Sequence, residues 1–206
     1  MKKLPVHSFL MLFLFTLPVL AEKTPTLENA RVVLELSPGE GNPRNSEGDF
    51  VRLKNGDILL VYSHYTGQSA GDHEKAHIAG RISHDRGETW SDPFPIREVE
   101  KGGMNLMSVS LLRLQDGRIA LFYLRKYSLQ DTRPFVCFSE DEGKTWTIPQ
   151  PCIGEAEKGY YVVNNGRVIQ LADGSILIPC ALHPIDSRGN LSWNATLICY
   201  ISTNNG

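Results

Sequence analysis

The sequence predicts an all-β protein built from repeated four-stranded antiparallel units, the pattern of a β-propeller. Two interleaved motifs carry this prediction. The first is a β-hairpin that occurs three times, and its turn glycines Gly56, Gly117 and Gly174 lie 61 and 57 residues apart. The second is an octapeptide that recurs at a similar spacing. No sustained 3.6-residue apolar periodicity, which would indicate helices, is found after residue 21.

Each hairpin consists of two apolar strands around an Asn-Gly or Asp-Gly dipeptide. The three copies cover residues 50–62, 111–123 and 168–180. Asn-Gly and Asp-Gly tolerate the positive φ angles of a two-residue type I′ turn, so we expect such a turn in each copy. The hairpins supply the first and second strands of each unit.

The octapeptide reads S-x-D-x-G-x-T-W, as SHDRGETW over residues 83–90 and SEDEGKTW over residues 139–146, and a third copy begins at Ser202. In such a turn the Asp carboxylate and the hydroxyl groups bond the backbone, and the Trp side chain packs beneath the strands. We therefore expect Asp85 and Asp141 to hold a turn rather than to act in catalysis or bind calcium. Each octapeptide joins a third strand to a fourth, which completes the unit.

The first residues predict an export signal. Residues 1–21 combine two lysines, an apolar run and small residues at a cleavage site ending at Ala21, which is typical of a signal peptide. The apolar run is shorter than the ~20 residues of a spanning helix. We expect a secreted or periplasmic bacterial protein with no membrane span after signal cleavage; an uncleaved membrane anchor is the alternative.

The remaining residues predict an N-terminal segment followed by part of a propeller. Within the segment, residues 22–41, the apolar residues 31–36 would add an outer strand to the last blade. Residues 42–206 hold about three blades, whereas propellers usually close with 4 to 8. We therefore expect a propeller that is truncated at its C-terminus.

Charge and cysteine content argue against a nucleic-acid-binding protein and against a zinc knuckle. After residue 21 the chain has 19 basic and 23 acidic residues and no basic run, which argues against a nucleic-acid partner. The four cysteines, Cys137, Cys152, Cys180 and Cys199, form no CxxC pair, so a zinc knuckle is not indicated. Disulfides and buried free thiols both remain open. We predict neither a metal nor a cofactor.

Residues 73–77 spell H-E-x-x-H, the signature of zinc proteases. The motif needs a helix, on which residues four apart share one face and both imidazoles reach one metal. Here it runs into a predicted strand, in which residues four apart stand about 13 Å from each other. The sequence therefore argues against a metalloprotease.

The octapeptides SHDRGETW and SEDEGKTW resemble the Asp-boxes of the sialidase (neuraminidase) superfamily, six-bladed propellers that are often called BNR-repeat proteins. The resemblance spans about residues 42–206, nearly the whole mature chain. It implies a β-propeller of sialidase type, six-bladed when complete, of which about three antiparallel blades are present.

Strand direction divides the polar residues between two faces. Successive connections in a blade alternate, so the hairpin turns and Asp-boxes lie on one face and the other, longer loops lie on the opposite face, where binding residues are usually found. This geometry sets aside Asp57, Asp85, Asp116, Asp141 and Asp173. It selects as candidates Arg44, Glu47, Asp72, His73, Asn105, Arg125, Asn164, Asn165 and His183.

The resemblance implies roles for two of these candidates. Arg44 stands where sialidases carry the first arginine of a triad that binds the substrate carboxylate, although Asn45 and Ser46 follow it in place of the family's Ile-Pro. Asp72 lies in a loop like that of the sialidase acid/base aspartate, and partial burial near the axis would favour its protonated form. The alternatives are a surface arginine paired with a glutamate and a solvated turn aspartate.

The remaining candidates are assigned to substrate binding: His73, Asn105, Arg125, Asn164 and His183, together with Arg44. Asn105 and Asn164 could bond sugar hydroxyls or satisfy the backbone where strands begin. Trp193 could stack on a sugar or cover its blade.

The implied function is an exo-α-sialidase-like glycoside hydrolase that releases a terminal, carboxylate-bearing sugar from a glycan with retention of configuration. The family pattern puts the tyrosine nucleophile, its glutamate and two further arginines in later blades, beyond Gly206, so we expect this piece to be inactive alone. Two alternatives remain: a propeller hydrolase or lyase for uronic-acid-containing polysaccharides that uses His73 or His183, and a non-catalytic carbohydrate-binding propeller.

Overall fold

The computed structural model describes residues 30–204, and the chain divides into two compact units, residues 1–31 and 32–206. The elements below belong to the second unit. The predicted signal peptide lies outside the described residues. Between residues 30 and 204, no helix has the length and apolar character that crossing a membrane requires.

The strands form three blades, which confirms the predicted all-β propeller architecture. Blade 1 contains β1 (Arg44–Arg52), β2 (Ile58–Tyr65), β3 (Ala76–Ser83) and β4 (Phe94–Arg97). Blade 2 contains β5 (Asn105–Arg113), β6 (Ile119–Lys126), β7 (Thr132–Ser139) and β8 (Gln150–Pro151). Blade 3 contains β9 (Tyr160–Val162), β10 (Ile169–Gln170), β11 (Ile176–His183) and β12 (Thr196–Ser202).

Within each blade, neighbouring strands pair in chain order and antiparallel. Blade 1 is one four-stranded sheet with the order β1-β2-β3-β4. In blade 3, β9 and β10 both pair with β11, so they are two parts of one interrupted first strand. One parallel pair, Thr132 opposite Tyr160, joins the sheets of blades 2 and 3.

The hairpin turns differ from the expected type I′ geometry. In the first hairpin, Gly56 N donates to Leu53 O (3.0 Å) and Leu53 N donates to Asp57 O (2.8 Å). Gly56 has a φ of 94°, whereas Asn55 is not in the left-handed region. This is a three-residue loop, a type I turn followed by a glycine bulge. The amide oxygen of Asn55 accepts a bond from Asp57 N (3.1 Å), which stabilises this form.

The first strands of blades 1 and 2 carry matching bulges, and acidic side chains connect them. Glu47 and Ser108 both have positive φ, 57° and 58°. The Glu47 carboxylate accepts bonds from Ser63 Oγ (3.1 Å) and Ser108 N (3.3 Å). Two residues further on, Asp49 accepts a bond from Leu111 N (2.8 Å). The inner edges of the two blades are therefore held in register by side chains.

Strand β6, in the middle blade, is buried on both faces. Its residues Ile119, Leu121 and Tyr123 pack in the cluster shared with blade 1. The alternate residues Ala120, Phe122 and Leu124 pack in the cluster shared with blade 3. Because successive side chains of a strand point to opposite faces, those of the next two residues, Arg125 and Lys126, also lie on opposite faces of β6.

Residues 31–36 form no strand in the described part of the chain. Leu34 and Leu36 instead pack against Leu60, Tyr62 and Ala79 of blade 1. A strand needs a partner for its backbone groups, and no neighbouring strand reaches this segment. Its pairing with a last blade stays a prediction.

The four cysteines are free thiols, which is one of the two states that the sequence left open. Cys137 and Cys180 are buried, and Cys199 is exposed. Burial raises the pKa of Cys137 to about 11 and that of Cys180 to about 12. These two thiols are therefore protonated packing groups rather than nucleophiles.

Candidate active site

The hairpin turns and Asp-boxes share one face of the blades, which we call the turn face. In blade 1, the Asp85 carboxylate accepts bonds from Thr89 N (2.8 Å) and Thr89 Oγ1 (2.5 Å), and Ser83 Oγ accepts one from Gly87 N (2.7 Å). These bonds to Thr89 lower the pKa of Asp85 to about 2. The carboxylate is ionised and occupied, so its role is structural, as predicted.

The second Asp-box repeats this arrangement. Asp141 accepts bonds from Thr145 N (2.8 Å) and Thr145 Oγ1 (2.6 Å), which lower its pKa to about 2. Glu142, in the same turn, accepts a bond from Lys54 N (2.8 Å) in the hairpin turn of blade 1. The turns of two blades therefore contact each other on this face.

The opposite face, which we call the loop face, collects the strand ends that carry the candidate residues. In each blade a residue at the start of the first strand pairs with the last residue of the second strand. The pairs are Arg44–Tyr65 in blade 1, Asn105–Lys126 in blade 2 and Tyr160–His183 in blade 3. A polar or aromatic side chain occupies all six positions, which makes this face the candidate site.

Arg44 is oriented by several contacts. Its Nη1 donates to Asp72 Oδ1 (2.5 Å) and to the carbonyl of Ala70 (3.2 Å), and its Nε donates to Ser46 Oγ (2.9 Å). The guanidinium lies over the Tyr65 ring, 4.4 Å from the centroid. The structure thus brings Arg44 and Asp72, the two central predicted residues, into direct contact.

The backbone of Asp72 is tied to blade 2, whereas its side chain bonds Arg44. Its carbonyl accepts bonds from Asn105 Nδ2 (3.0 Å) and Lys126 Nζ (3.0 Å), both from blade 2. The side chain is 62% exposed. The expected partial burial of Asp72 is therefore wrong, because the loop projects its carboxylate outward to Arg44.

Lys126 is a site residue that the sequence analysis missed. It is completely buried, with 0% exposure, and its Nζ donates to Asp72 O (3.0 Å), His73 Nδ1 (2.9 Å) and Tyr160 OH (3.1 Å). Burial lowers the pKa of Lys126, although the charges of Asp72 and Glu47 oppose this shift. Spacing could have found it, because Lys126 lies 61 residues after Tyr65, as Gly117 does after Gly56.

Arg125, by contrast, does not reach this site. Its Nη1 donates to Glu100 (2.6 Å), and its guanidinium lies over the Tyr127 ring, 4.6 Å from the centroid. The alternation along β6 sends Arg125 to the side opposite Lys126. The predicted substrate-binding role of Arg125 is not supported by this position.

Of the two predicted asparagines, Asn105 bonds backbone carbonyls and Asn164 lies away from Arg44 and Asp72. Asn105 is buried, and both hydrogens of its amide are used, on the carbonyls of Asp72 (3.0 Å) and Glu74 (2.8 Å). It supports the loop and does not present a donor to a ligand. Asn164 is exposed between β9 and β10, and its neighbour Asn165 donates to Gly48 O (3.1 Å). Among the described residues, neither Asn164 nor Asn165 bonds to Arg44 or Asp72.

Histidine and aromatic side chains extend the site toward blade 3. His183 donates from Nδ1 to the carbonyl of Ser192 (2.9 Å) and lies edge-on to Tyr160, with ring centroids 5.8 Å apart. Its other neighbour is Trp193, also at 5.8 Å, which is 81% exposed. The sequence allowed Trp193 either to stack on a sugar or to cover its blade. In the structure its ring is open to solvent.

The tyrosines beside the site are not activated. Burial raises the pKa of Tyr65, and the Glu47 charge adds to the effect. Burial and the Asp72 charge raise the pKa of Tyr160. A phenol nucleophile needs its pKa lowered instead, so neither tyrosine has the electrostatics of one.

The H-E-x-x-H sequence does not form a metal site. His73 lies in the loop before β3, whereas His77 is part of β3 and packs on His64, with ring centroids 4.8 Å apart. Within residues 30–204, no group of three or more His, Cys, Asp or Glu residues has the arrangement of a metal site.

Comparison with protein families gives a match over residues 63–206 to the family described as BNR repeat-like domain. The match covers more than half of the chain. The chain belongs to this family. The recurring Asp-boxes on the turn face are consistent with a BNR repeat, and no match was found among curated proteins.

Solved structures support the same fold. One is a protein of unknown function from Dyadobacter fermentans, with 19% identity and a TM-score of 0.63 over 82% of this chain. Another is the intramolecular trans-sialidase from Ruminococcus gnavus in complex with oseltamivir carboxylate, with 13% identity and a TM-score of 0.57 over 85% of this chain. A third is Trypanosoma rangeli sialidase in complex with the inhibitor DANA, with 14% identity and a TM-score of 0.58 over 79%.

The chain spans 54%, 64% and 29% of the length of these three proteins. At these identities the similarity concerns the fold, which is that of the sialidase-type BNR propeller. The described residues therefore form three blades of such a propeller, and the activity of the chain is a separate question.

Proposed function

We propose that the full-length protein is an exo-acting sialidase-type glycoside hydrolase that releases a terminal acidic sugar from glycoconjugates with retention of configuration. One observation carries the proposal, the bond between Arg44 and Asp72 on the loop face of blade 1. The resemblance to sialidases implies a carboxylate-binding arginine and an acid/base aspartate at these two positions. The structurally similar trans-sialidase from R. gnavus was solved with oseltamivir carboxylate bound, which supports a carboxylate-bearing ligand for this protein.

Arg44 would bind the sugar carboxylate. Its planar fork suits a carboxylate because two parallel N–H groups reach both oxygens. Its Nη2 lies 3.6 Å from the Glu47 carboxylate, and its Nη1 holds Asp72. A substrate carboxylate would compete with Asp72 for the Arg44 guanidinium and would release the Asp72 side chain.

Asp72 would supply the proton chemistry. In its protonated form it donates a proton to the leaving glycosidic oxygen, and as a carboxylate it later takes a proton from the attacking water. The retaining mechanism also needs a nucleophile. Since Tyr65 and Tyr160 have raised pKa values, we propose that the nucleophile comes from a blade other than the three described.

The partners follow from this chemistry. The substrate is a glycan whose terminal sugar carries a carboxylate, and we propose that the protein meets it outside the cytoplasm, in the periplasm or the surrounding medium. The export signal that the sequence predicts in residues 1–21 supports this location.

The test is turnover of two substrates by the full-length protein. We expect release of the aryl alcohol from an aryl α-sialoside and no cleavage of uronate oligosaccharides. Cleavage of uronate oligosaccharides alone would favour the alternative polysaccharide hydrolase or lyase. Glycan binding without turnover of either substrate would favour a carbohydrate-binding propeller, and both results would overturn the proposal.

A further inference from the structure

Lys126 is a buried charge that the proposed reaction does not use. With 0% exposure it cannot touch a substrate. An ammonium group has three N–H donors and no acceptor. The three acceptors around Nζ are Asp72 O, His73 Nδ1 and Tyr160 OH, at 2.9–3.1 Å, so every donor is used.

We infer that Lys126 is a positioning residue that fixes the backbone of Asp72 and keeps Nδ1 of His73 unprotonated, so that His73 offers an Nε2–H donor to an oxygen of the acidic sugar. This inference rests on the proposed function and adds a second polar contact to the site. His73 would touch the substrate, whereas Lys126 acts only through its neighbours.

The fixing of Asp72 follows from two tethers that cross between blades. Lys126 and Asn105 are paired across β5 and β6, and both donate to the carbonyl of Asp72. Asn105 also holds the carbonyl of Glu74 (2.8 Å). The loop of blade 1 is thus anchored on blade 2 at both sides of His73, through the carbonyls of Asp72 and Glu74.

The state of His73 follows from the direction of its hydrogen bond. An ammonium donates, so Nδ1 must accept, and a neutral imidazole then carries its proton on Nε2. Within the described residues Nε2 has no partner, and His73 is exposed on the loop face. The titratable groups around it are Lys126, Asp72 and, through Lys126, Tyr160. Burial and the Lys126 charge lower the pKa of His73, which keeps the ring neutral.

The bond from Lys126 also decides whether His73 can act as a hydrogen-bond donor or as a base. A lyase that used His73 as a base would need a free lone pair on Nε2, with the proton on Nδ1. The bond from Lys126 enforces the opposite tautomer. His73 therefore suits a hydrogen-bond donor and not a proton-abstracting base.

The direct test is the tautomer of His73 in the full-length protein. We expect long-range proton–nitrogen NMR spectra of ¹⁵N-histidine-labelled protein to show a neutral Nε2–H ring at pH 6 to 7.5, with a His73→Gln variant identifying the signal. A neutral Nδ1–H ring, or a ring that is fully protonated at pH 6, would overturn the inference. This readout requires neither a variant of Lys126 nor any enzyme activity.

Variants test the positioning role. Lys126→Met keeps the volume but removes the donors, and we expect at least a tenfold loss of kcat and a His73 protonation midpoint that rises toward the ordinary value of about 6.5. Lys144→Met, at an exposed lysine on the turn face, is the matched control and should change neither. If sialoside turnover is present but Lys126→Met leaves kcat and the midpoint unchanged, the positioning role fails while the proposed function stands. If there is no turnover, the proposed function fails and the NMR result alone decides the state of His73.

Discussion

On the turn face, Asp85 and Asp141 bond to residues no more than four positions away in the chain. On the loop face, Asp72 is held by Arg44, Asn105 and Lys126, which lie 28, 33 and 54 positions away. The turn-face carboxylates have every oxygen occupied, whereas the Asp72 carboxylate has one charged partner and is mostly exposed. Local bonds therefore use up the Asp-box carboxylates, whereas the Asp72 carboxylate remains available for chemistry.

The largest effect that separates the two faces should come from Asp72→Asn. Because an amide cannot donate the proton that the leaving group needs, we expect turnover of an aryl sialoside to fall by about 10² or more. The matched control is Asp85→Asn on the turn face, which should leave turnover close to that of the wild type. Equal turnover in Asp72→Asn and wild type would remove Asp72 from the reaction.

Ser139→Ala should show the reverse pattern, a loss of stability without a loss of turnover. Ser139 Oγ accepts from Gly143 N (2.8 Å) in a buried position, so its removal leaves a backbone donor unpaired. We expect about 1–3 kcal/mol less free energy of unfolding in urea titrations. Ser187→Ala, at an exposed serine, should cost less than about 0.5 kcal/mol. Equal stabilities of the two variants would contradict the structural role of the Asp-box.

A smaller effect should distinguish the two Asp-boxes. Gly87 and Gly143 have φ angles of 93° and 85°, so alanine costs about 1–2 kcal/mol at either site. A Cβ at Gly143 would lie 2.8 Å from Leu59 Cδ2, whereas at Gly87 the nearest atom is 3.9 Å away. We expect Gly143→Ala to lose about 1 kcal/mol more than Gly87→Ala in thermal or urea unfolding. The opposite order would show that blades 1 and 2 do not pack as described.

The smallest effect concerns acid stability. In the folded state the pKa of Asp141 is about 2, below its ordinary 3.8, so its contribution is full above pH 4 and is lost as the pH falls toward 2. Asp141→Asn should therefore reduce the drop in unfolding free energy between pH 4 and pH 2.5. An unchanged drop would mean that the Thr145 bonds do not hold the carboxylate in solution.

These contrasts explain which features could be predicted from the sequence. The Asp-boxes fold from eight consecutive residues, so their residue pattern is sufficient. The hairpins were predicted correctly in position, but their turn type depends on how Asn55 and its equivalents bond the backbone, which the dipeptide alone does not settle.

The loop face depends on contacts between blades, and there the prediction was incomplete. Arg44 and Asp72 could be found from their places relative to the repeat. Lys126 was missed in favour of its neighbour Arg125, because the register of β6 decides which of the two reaches Asp72. The repeat spacing indicates this register, because Lys126 lies one repeat after Tyr65, the last residue of β2.

Binding of the inhibitor DANA to the full-length protein, measured by titration calorimetry, tests the central claim most directly. If Arg44 receives the carboxylate of an acidic sugar, Arg44→Met should weaken binding by at least about tenfold, the effect of losing a charge-assisted hydrogen bond. Arg118→Met, on the turn face, should bind as the wild type does. Equal affinity of Arg44→Met and wild type, or a loss caused by Arg118→Met instead, would contradict the assignment of the loop face as the sugar-binding site.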